Sequence, residues 1–223
     1  METADDAAVP IGGPTATRKD LQLGRRLIHL ANGVTVASAY AVLFTHQQVV
    51  HLFGTIACLV YILDRVRIHY PEVARRVPLL NRLFFRAEEQ FKESAMTPYA
   101  IAILLTILTF PKPVALIAIY TLAVADPLAA LVGISWGRHQ IAPHRTVEGT
   151  LAFFLATLAV SLVVLLFGTD APHATVVGAS FLLALAATSF EMVPLRLDDN
   201  LTIPLFVGFA GWIVCTVVGV PLV

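Results

Sequence analysis

The sequence predicts an all-α, polytopic integral membrane protein with about seven transmembrane helices and a cytoplasmic N terminus. Hydrophobic residues make up 57% of the 223 residues and charged residues only 13%, whereas about a quarter of the residues in a soluble domain are charged. The mean hydropathy is +0.79. Long apolar runs recur along the chain, and the basic residues concentrate in alternate loops between them.

Seven apolar runs approach the roughly 20 residues that a helix needs to cross the hydrocarbon core of a bilayer. The predicted spans are 27–45, 48–64, 95–111, 113–136, 147–168, 173–194 and 201–221. The third run is short, and the turn Pro111-Lys112-Pro113 separates it from the fourth, so a re-entrant segment is the alternative there.

Charge sorting predicts the orientation of these spans. With the N terminus inside, fourteen of the fifteen Lys and Arg residues fall in cytoplasmic segments, and only Lys112 falls outside. This bias follows the positive-inside rule and predicts seven spans with the C terminus outside. A re-entrant third segment would disrupt the sorting.

The chain is predicted to form one membrane domain, residues 21–223, after a disordered polar tail, residues 1–20. The tail has acidic residues and lacks the apolar core of a signal peptide. A basic cytoplasmic loop over 65–94 is expected to lie on anionic lipid. The net charge is zero, and no basic patch with interleaved aromatic residues occurs, so no nucleic-acid partner is expected.

Asp126 is the first candidate for a functional residue, because it follows the apolar run 114–125. An ionisable residue inside or at the end of a span is costly and marks a functional site by default. Pro127 next to it breaks the helix, and such breaks persist only where they are buried in protein or line a wet cavity. The alternative is a carboxylate near a helix end that reaches the interface.

Glycines and arginines after Asp126 indicate a phosphate-handling site. Gly133 and Gly137 have the spacing of a helix-packing face in membranes, which is their structural alternative. Arg138 follows, and arginine forks onto phosphate. Further along, Thr146 is a plausible N-cap for the fifth span, whose first N–H groups can receive a phosphate.

Acidic residues crowd the same predicted interface. Glu148 lies in the first turn of the fifth span, where the helix dipole alone also favours a carboxylate. Glu191 ends the sixth span, and Asp198-Asp199-Asn200 precedes the seventh. One of these three residues is expected to cap that helix. Adjacent carboxylates favour a cation, and oxygen ligands suit Mg²⁺, so the sequence predicts a magnesium site.

Near the N terminus, Arg25-Arg26 precedes His29 on one face of the first helix. The arginines also suit the role of interfacial anchors. The sequence has no Walker loop, Rossmann glycine pattern or kinase catalytic loop, so any phosphoryl chemistry must be built from the ends of spans.

At these residues the chain resembles the CTP-dependent lipid kinases, a family that includes dolichol kinase, phytol kinase and the yeast CTP-dependent diacylglycerol kinase. The resemblance covers most of the chain beyond residue 20. The motifs that carry it are Arg25-Arg26-x-x-His29, Asp126-x-x-Ala129-Ala130-x-x-Gly133-x-x-x-Gly137-Arg138, Arg145-Thr146-x-Glu148-Gly149, and Glu191 with Asp199-Asn200-Leu201-Thr202-Ile203-Pro204. Lysine is usual in the family where this chain has Arg26 and Arg145, and Gly is common where it has Ala125.

The resemblance implies a transmembrane catalytic domain that transfers the γ-phosphate of a nucleotide, CTP or ATP, to the hydroxyl of a lipid alcohol at the cytoplasmic face. The acceptor would be a polyprenol, phytol or diacylglycerol. Positioning and charge neutralisation are the main needs of phosphoryl transfer. The implied roles are Mg²⁺ binding by Asp126, Asp199 and Asp198, phosphate neutralisation by Arg138 and Arg145, and positioning or deprotonation of the hydroxyl by Glu148 or Glu191. Nucleotide binding is implied at Gly133, Gly137, Arg138, Thr146 and Gly149, with Arg26, His29 and Asn200 as further polar site residues.

Two other functions stay open at this point. A lipid cytidylyltransferase would use the same nucleotide, metal and membrane setting but would release pyrophosphate. A small-solute transporter would place carboxylates near the middle of the bilayer, within an inverted repeat. The sequence shows no internal repeat, and its carboxylates crowd one interface.

Overall fold

Seven helices form where the seven apolar runs lie. The computed structural model describes residues 18–70, 72, 96–142, 145–193, 195 and 197–222. The helices in this part of the chain are α1 (Arg18–Val42), α2 (His46–His69), α3 (Met96–Thr109), α4 (Lys112–Trp136), α5 (Val147–Gly168), α6 (His173–Glu191) and α7 (Asp199–Val218). A hairpin of β1 (Gln140–Ala142) and β2 (Arg145–Thr146) joins α4 to α5.

The all-helical prediction is confirmed, and five helices are long and apolar enough to cross a membrane: α2, α4, α5, α6 and α7. These five helices indicate an integral membrane protein. The apolar part of α1, Leu30–Val42, and α3 are shorter. The 14 residues of α3 extend for about 21 Å, against a hydrocarbon core of about 30 Å. Seven full spans and a cytoplasmic N terminus therefore stay predictions.

Helix α2 continues to His69, beyond the predicted end of its span at 64. Arg67, in this extension, forms a buried ion pair with Asp64: its Nη2 donates to Asp64 Oδ1 over 2.5 Å. Thr97 of α3 donates to the other Asp64 oxygen over 3.0 Å. The first residues of the predicted basic loop are thus helical, and residues 73–95 lie outside the described residues.

Helix α4 is the centre of the bundle. Every side chain from Pro113 to Ile119 is buried, and α4 packs against α1, α3, α5 and α7. Helix α1 comes close at Gly33, where an added Cβ would lie 2.5 Å from Ala123 Cβ. The hydrophobic core therefore forms around α4, with one cluster toward α1–α3 and another toward α5–α7.

Helix α5 has distinct inward and outward faces. The buried residues of its inward face recur every four positions: Gly149, Phe153, Thr157, Ser161 and Leu165. Its outward face carries Leu151 and Leu155, which are more than half exposed. Small and hydroxyl residues on the inward face, such as Gly149, Thr157 and Ser161, are typical of helices that pack together in lipid.

The alternating direction of the helices brings four helix ends together at one end of the bundle. These are the C termini of α4 and α6 and the N termini of α5 and α7. At the other end, Lys112 Nζ donates to the Ala41 carbonyl over 3.1 Å and covers the C terminus of α1. Most of the predicted site residues therefore fall at the first end.

Replacing Gly208 with Ala should destabilise the bundle by about 1–3 kcal/mol, because overpacking a core costs that much. The added Cβ would overlap the Phe110 ring, which is buried and packs edge-on against Phe209. Thermal unfolding of the detergent-solubilised protein measures the loss.

Gly178→Ala is the matched control, since no atom lies within 4 Å of a Cβ added there. Equal stability of the two variants would contradict the close contact between α7 and Phe110.

Candidate active site

An ion pair centred on Arg145 joins three elements at the end of the bundle. The Arg145 guanidinium donates to Glu191 Oε1 of α6. It also lies 3.6 Å, Nη2 to Oδ2, from Asp199 at the start of α7. The Glu191 side chain is only 2% exposed, so its charge depends on Arg145 for compensation. The pair fixes β2 against α6 and α7.

Asp126 and Asp199 add negative charge around this pair. Both act repulsively on the Glu191 carboxylate, whereas Arg145 attracts it. Within the described residues, Glu191 Oε2 is buried and has no hydrogen-bond partner. The arrangement thus combines excess carboxylate oxygen with one buried acceptor left unsatisfied, which a proton donor or a cation would complete.

A π-helical turn, Thr121–Ala125, immediately precedes Asp126. The Asp126 N–H donates to the Thr121 carbonyl, five residues back instead of four. Such turns are rare and are frequent at functional sites. The predicted helix break at Pro127 is wrong, because α4 continues through Pro127 and the irregularity is the π-helical turn before it, which nothing in the sequence signals.

A pocket of about 580 Å³ opens beside the ion pair. Its walls come from the C-terminal half of α4, the hairpin, the start of α5 and the end of α6. The lining residues are Ala129, Ala130, Gly133, Ile134, Gly137, Arg138, Gln140, Arg145, Thr146, Gly149, Thr150 and Glu191. Seven predicted site residues are among them, and the structure therefore brings the glycines, both arginines and Glu191 together.

The glycines of the pocket allow close packing of α4 against α5. A Cβ at Gly149 would lie 2.8 Å from the Ala129 carbonyl oxygen, and one at Gly137 would lie 2.7 Å from Thr146 Cγ2. At Gly133 the nearest atom, Thr146 Oγ1, is 3.1 Å away. Their structural alternative, helix packing, is therefore present, and approach to a nucleotide stays a proposal for the same residues.

Two predicted helix caps are confirmed. Thr146 Oγ1 accepts from the Gly149 N–H over 3.1 Å at the start of α5. Asp198 Oδ1 accepts from the Asn200 N–H over 2.8 Å at the start of α7. The two adjacent acids therefore have different roles, since Asp198 caps the N terminus of α7 and Asp199 faces Arg145.

Glu148 faces the loop after α4. Its carboxylate accepts from His139 Nδ1 over 2.9 Å and from the His139 N–H over 3.4 Å. The His139 carbonyl in turn accepts from the Val147 N–H over 2.9 Å. His139 was not a predicted site residue, yet it holds Arg138 and Gln140, which flank it and line the pocket, against the start of α5.

Other predicted residues lie apart from this geometry. Arg26 and His29 belong to α1, but their side chains lie outside the described residues, as does the predicted tail up to residue 17. Across the described ranges, no three His, Cys, Asp or Glu side chains lie close enough together to hold a metal ion as they stand. Magnesium binding by Asp126, Asp198 and Asp199 thus stays a prediction.

Fold and site together define an all-helical, membrane-type protein with a charged pocket at one end of its bundle. The chain is 30% identical over 193 residues to an uncharacterized protein of Methanocaldococcus jannaschii, an alignment that covers 84% of this chain and 91% of that protein. The chain belongs to the same family as this archaeal protein. It is also 24% identical over 192 residues to an uncharacterized protein of Rickettsia prowazekii, covering 83% and 91%.

A shorter region is similar to an enzyme. Over 103 residues the chain is 37% identical to the phytol kinase of Synechocystis sp.. This alignment covers 44% of this chain and 43% of that enzyme. This partial likeness hints at a lipid kinase. No family model and no solved structure matches the chain.

Replacing Arg145 with Met should destabilise the protein by about 3–5 kcal/mol, because it leaves the Glu191 carboxylate buried without its partner. Thermal unfolding in detergent measures the loss. The double variant Arg145→Met, Glu191→Gln should recover most of it, because the buried charge is then absent. A single variant as stable as the wild type would show that the ion pair does not fix β2 to α6.

Replacing His139 with Ala should loosen the loop over 137–142. The hydrogen bond from its side chain to Glu148 is lost, and amide exchange there should quicken by up to about fivefold, the equivalent of one ordinary hydrogen bond. Hydrogen–deuterium exchange measures the change. His173→Ala, at the opposite end of the bundle, is the control and should leave the loop unchanged.

Proposed function

We propose that the protein is a membrane lipid-alcohol kinase. It transfers the γ-phosphate of a nucleotide, CTP or ATP, to the hydroxyl of a polyprenol, phytol or diacylglycerol. The observation that carries this proposal is the pocket lined by Arg138, Arg145 and the buried Glu191 carboxylate, at one end of helices that are otherwise apolar. The partial likeness to a phytol kinase supports the same reaction class.

The two arginines supply the charge that a triphosphate needs. Arg138 is exposed at the rim, and Arg145 is partly exposed and paired with two carboxylates. Guanidinium groups bind phosphate oxygens bidentately. In this proposal Arg145 exchanges its contact with Asp199 for one with the γ-phosphate and keeps its contact with Glu191. Arg138 binds the remaining phosphates of the nucleotide.

The acidic residues fit a magnesium ion by their chemistry. Mg²⁺ keeps several waters and is bound through one or two carboxylates together with substrate phosphates, so a preassembled cage of three ligands is not needed. Asp126 and Asp199 would hold it, because both act on the same Glu191 carboxylate. Asp198 would contribute less, since one of its oxygens accepts the helix cap. When bound, the ion neutralises phosphate charge.

Glu191 is the proposed general base. The alcohol oxygen forms a bond to the γ-phosphorus, while the bond from that phosphorus to the bridging oxygen breaks and the nucleoside diphosphate leaves with the bonding electrons. The hydroxyl proton passes to the Glu191 carboxylate. Glu148, which faces His139, is the less suited of the two predicted glutamates. Arg145 holds Glu191 in place through this step.

The proposed orientation puts the pocket and the N terminus in the cytoplasm. In this orientation the positive-inside rule is satisfied, because fourteen of the fifteen Lys and Arg residues fall in cytoplasmic segments of the sequence and Lys112 lies at the other end of the bundle. The lipid tail would stay in the bilayer between helices, and the nucleotide would enter from the aqueous side. Nucleotides are cytoplasmic substrates, so this orientation suits the reaction.

The kinase proposal is tested with purified protein, Mg²⁺, and CTP or ATP labelled at the γ-phosphate, with phytol, a polyprenol and diacylglycerol supplied in turn. Label in a lipid phosphate, lost when the metal is chelated, is the expected result. Pyrophosphate release with a CDP-lipid product from phosphatidate would instead establish a cytidylyltransferase. Solute flux in proteoliposomes without either product would establish a transporter.

Asp126→Asn should lower turnover by at least about 100-fold, the usual cost of removing one electrostatic element of a transfer site. Asp170→Asn is the matched control, because Asp170 is exposed at the far end of α5. It should keep full activity. Undiminished activity of Asp126→Asn in a folded protein would remove this residue from the mechanism.

A further inference from the structure

Four exposed hydroxyl groups on the helices donate to the carbonyl four residues earlier in their own helix, over 2.7–2.8 Å. The residues are Thr35, Thr55, Ser189 and Thr216. Back-bonding of this kind satisfies a hydroxyl that has no water or side-chain partner in an apolar environment.

Seven serine and threonine hydroxyls of the described helices are instead buried without a hydrogen-bond partner, and of these seven only Thr150 lines the pocket. It lies in the first turn of α5, where its Oγ1 is buried and has no hydrogen-bond partner among the described residues. Glu191 Oε2 is unsatisfied in the same way, on a side chain that is 2% exposed. Both residues line the same pocket, one from α5 and the other from α6. Two unsatisfied polar atoms at one pocket indicate a missing ligand group.

The chemistry of the two atoms defines that group. An ionised carboxylate only accepts hydrogen bonds, and a threonine hydroxyl both donates and accepts. An alcohol hydroxyl has the matching chemistry, because it can donate to Glu191 Oε2 and accept from Thr150 Oγ1. A phosphate oxygen would be repelled by Glu191 and attracted by Arg138 and Arg145, of which Arg145 is itself paired with Glu191 Oε1. The unsatisfied Oε2 therefore suits a neutral donor, whereas the guanidinium groups suit an anion.

We propose that Thr150 and Glu191 together bind the hydroxyl of the acceptor alcohol and so distinguish an alcohol from a lipid of the same tail that lacks a hydroxyl. This inference rests on the proposed kinase and names the residue that selects its acceptor. Apolar tails discriminate weakly per methylene, whereas a site that hydrogen-bonds a hydroxyl rejects analogues lacking it strongly. Thr150 is therefore a specificity-determining residue. It binds the hydroxyl together with Glu191, which is the proposed catalytic base.

Binding of phytol and of phytol methyl ether tests the proposal without any turnover. Native mass spectrometry of the detergent-solubilised protein should show that the wild type prefers the alcohol by at least about tenfold, which corresponds to the net contribution of one good hydrogen bond. Thr150→Val keeps the shape and removes the hydroxyl, so this preference should fall by about the same factor. Thr150→Ser should retain it.

Thr157→Val is the matched control. Thr157 lies two turns further along the same inward face of α5, and its hydroxyl is also buried without a partner in the described structure, but it is not part of the pocket wall. This variant should bind both lipids as the wild type does. A Thr150→Val protein that keeps the full preference for the alcohol would overturn the proposal, as would equal losses in both valine variants.

Kinetics separate this proposal from the kinase assignment. Thr150→Val should raise the KM for the alcohol and leave the KM for the nucleotide unchanged. If the wild type transfers no phosphate but its alcohol binding depends on Thr150, the hydroxyl site stands and the kinase assignment fails. If the wild type is a kinase and Thr150→Val has the wild-type KM for the alcohol, the kinase stands and the hydroxyl site fails.

Discussion

The ion pair between Arg145 and Glu191 is the interaction on which the rest of the site depends. A carboxylate at the end of a membrane helix, 2% exposed, stays charged only with a cation beside it. The cation comes from a hairpin 46 residues earlier in the chain, so compensation of this one charge also decides where the hairpin lies. The hairpin in turn carries the rim of the pocket and the cap of α5. One electrostatic requirement thus organises four helix ends.

The helices were predictable because lipid imposes a simple rule on sequence. A span must be apolar for about 20 residues, and the seven runs match the seven helices of the described chain within a few residues at most ends. The rule weakens where a helix is partly polar. Helix α2 passes through Arg67 to His69 because Asp64 compensates the arginine within the same turn of helix, and no measure of hydropathy detects a charge paired in that way.

The site was predictable in content more than in arrangement. Glycine, arginine and carboxylate residues at span ends suggested a phosphate-binding pocket, and both helix caps followed from local preferences for Thr and Asp. Arg145 pairs with Glu191 rather than with Glu148, which is closer to it in the sequence, and this choice depends on tertiary packing. So does the contact between His139 and Glu148, since a lone exposed histidine gives no signal in a sequence. Thr150 was overlooked because a threonine in a membrane helix is ordinary until it is found at the wall of a pocket.

The π-helical turn before Asp126 sets the phase of the second half of α4. One extra residue in a turn advances the following side chains by about 100° around the helix axis. The half before the turn is buried on every side, and the half after it presents the glycine face to α5. In a regular α-helix these two halves would share one angular frame, and Asp126 would point about a quarter of a turn away from its present direction. The charge environment of Glu191 is therefore set by the winding of a neighbouring backbone as well as by the residues that surround it.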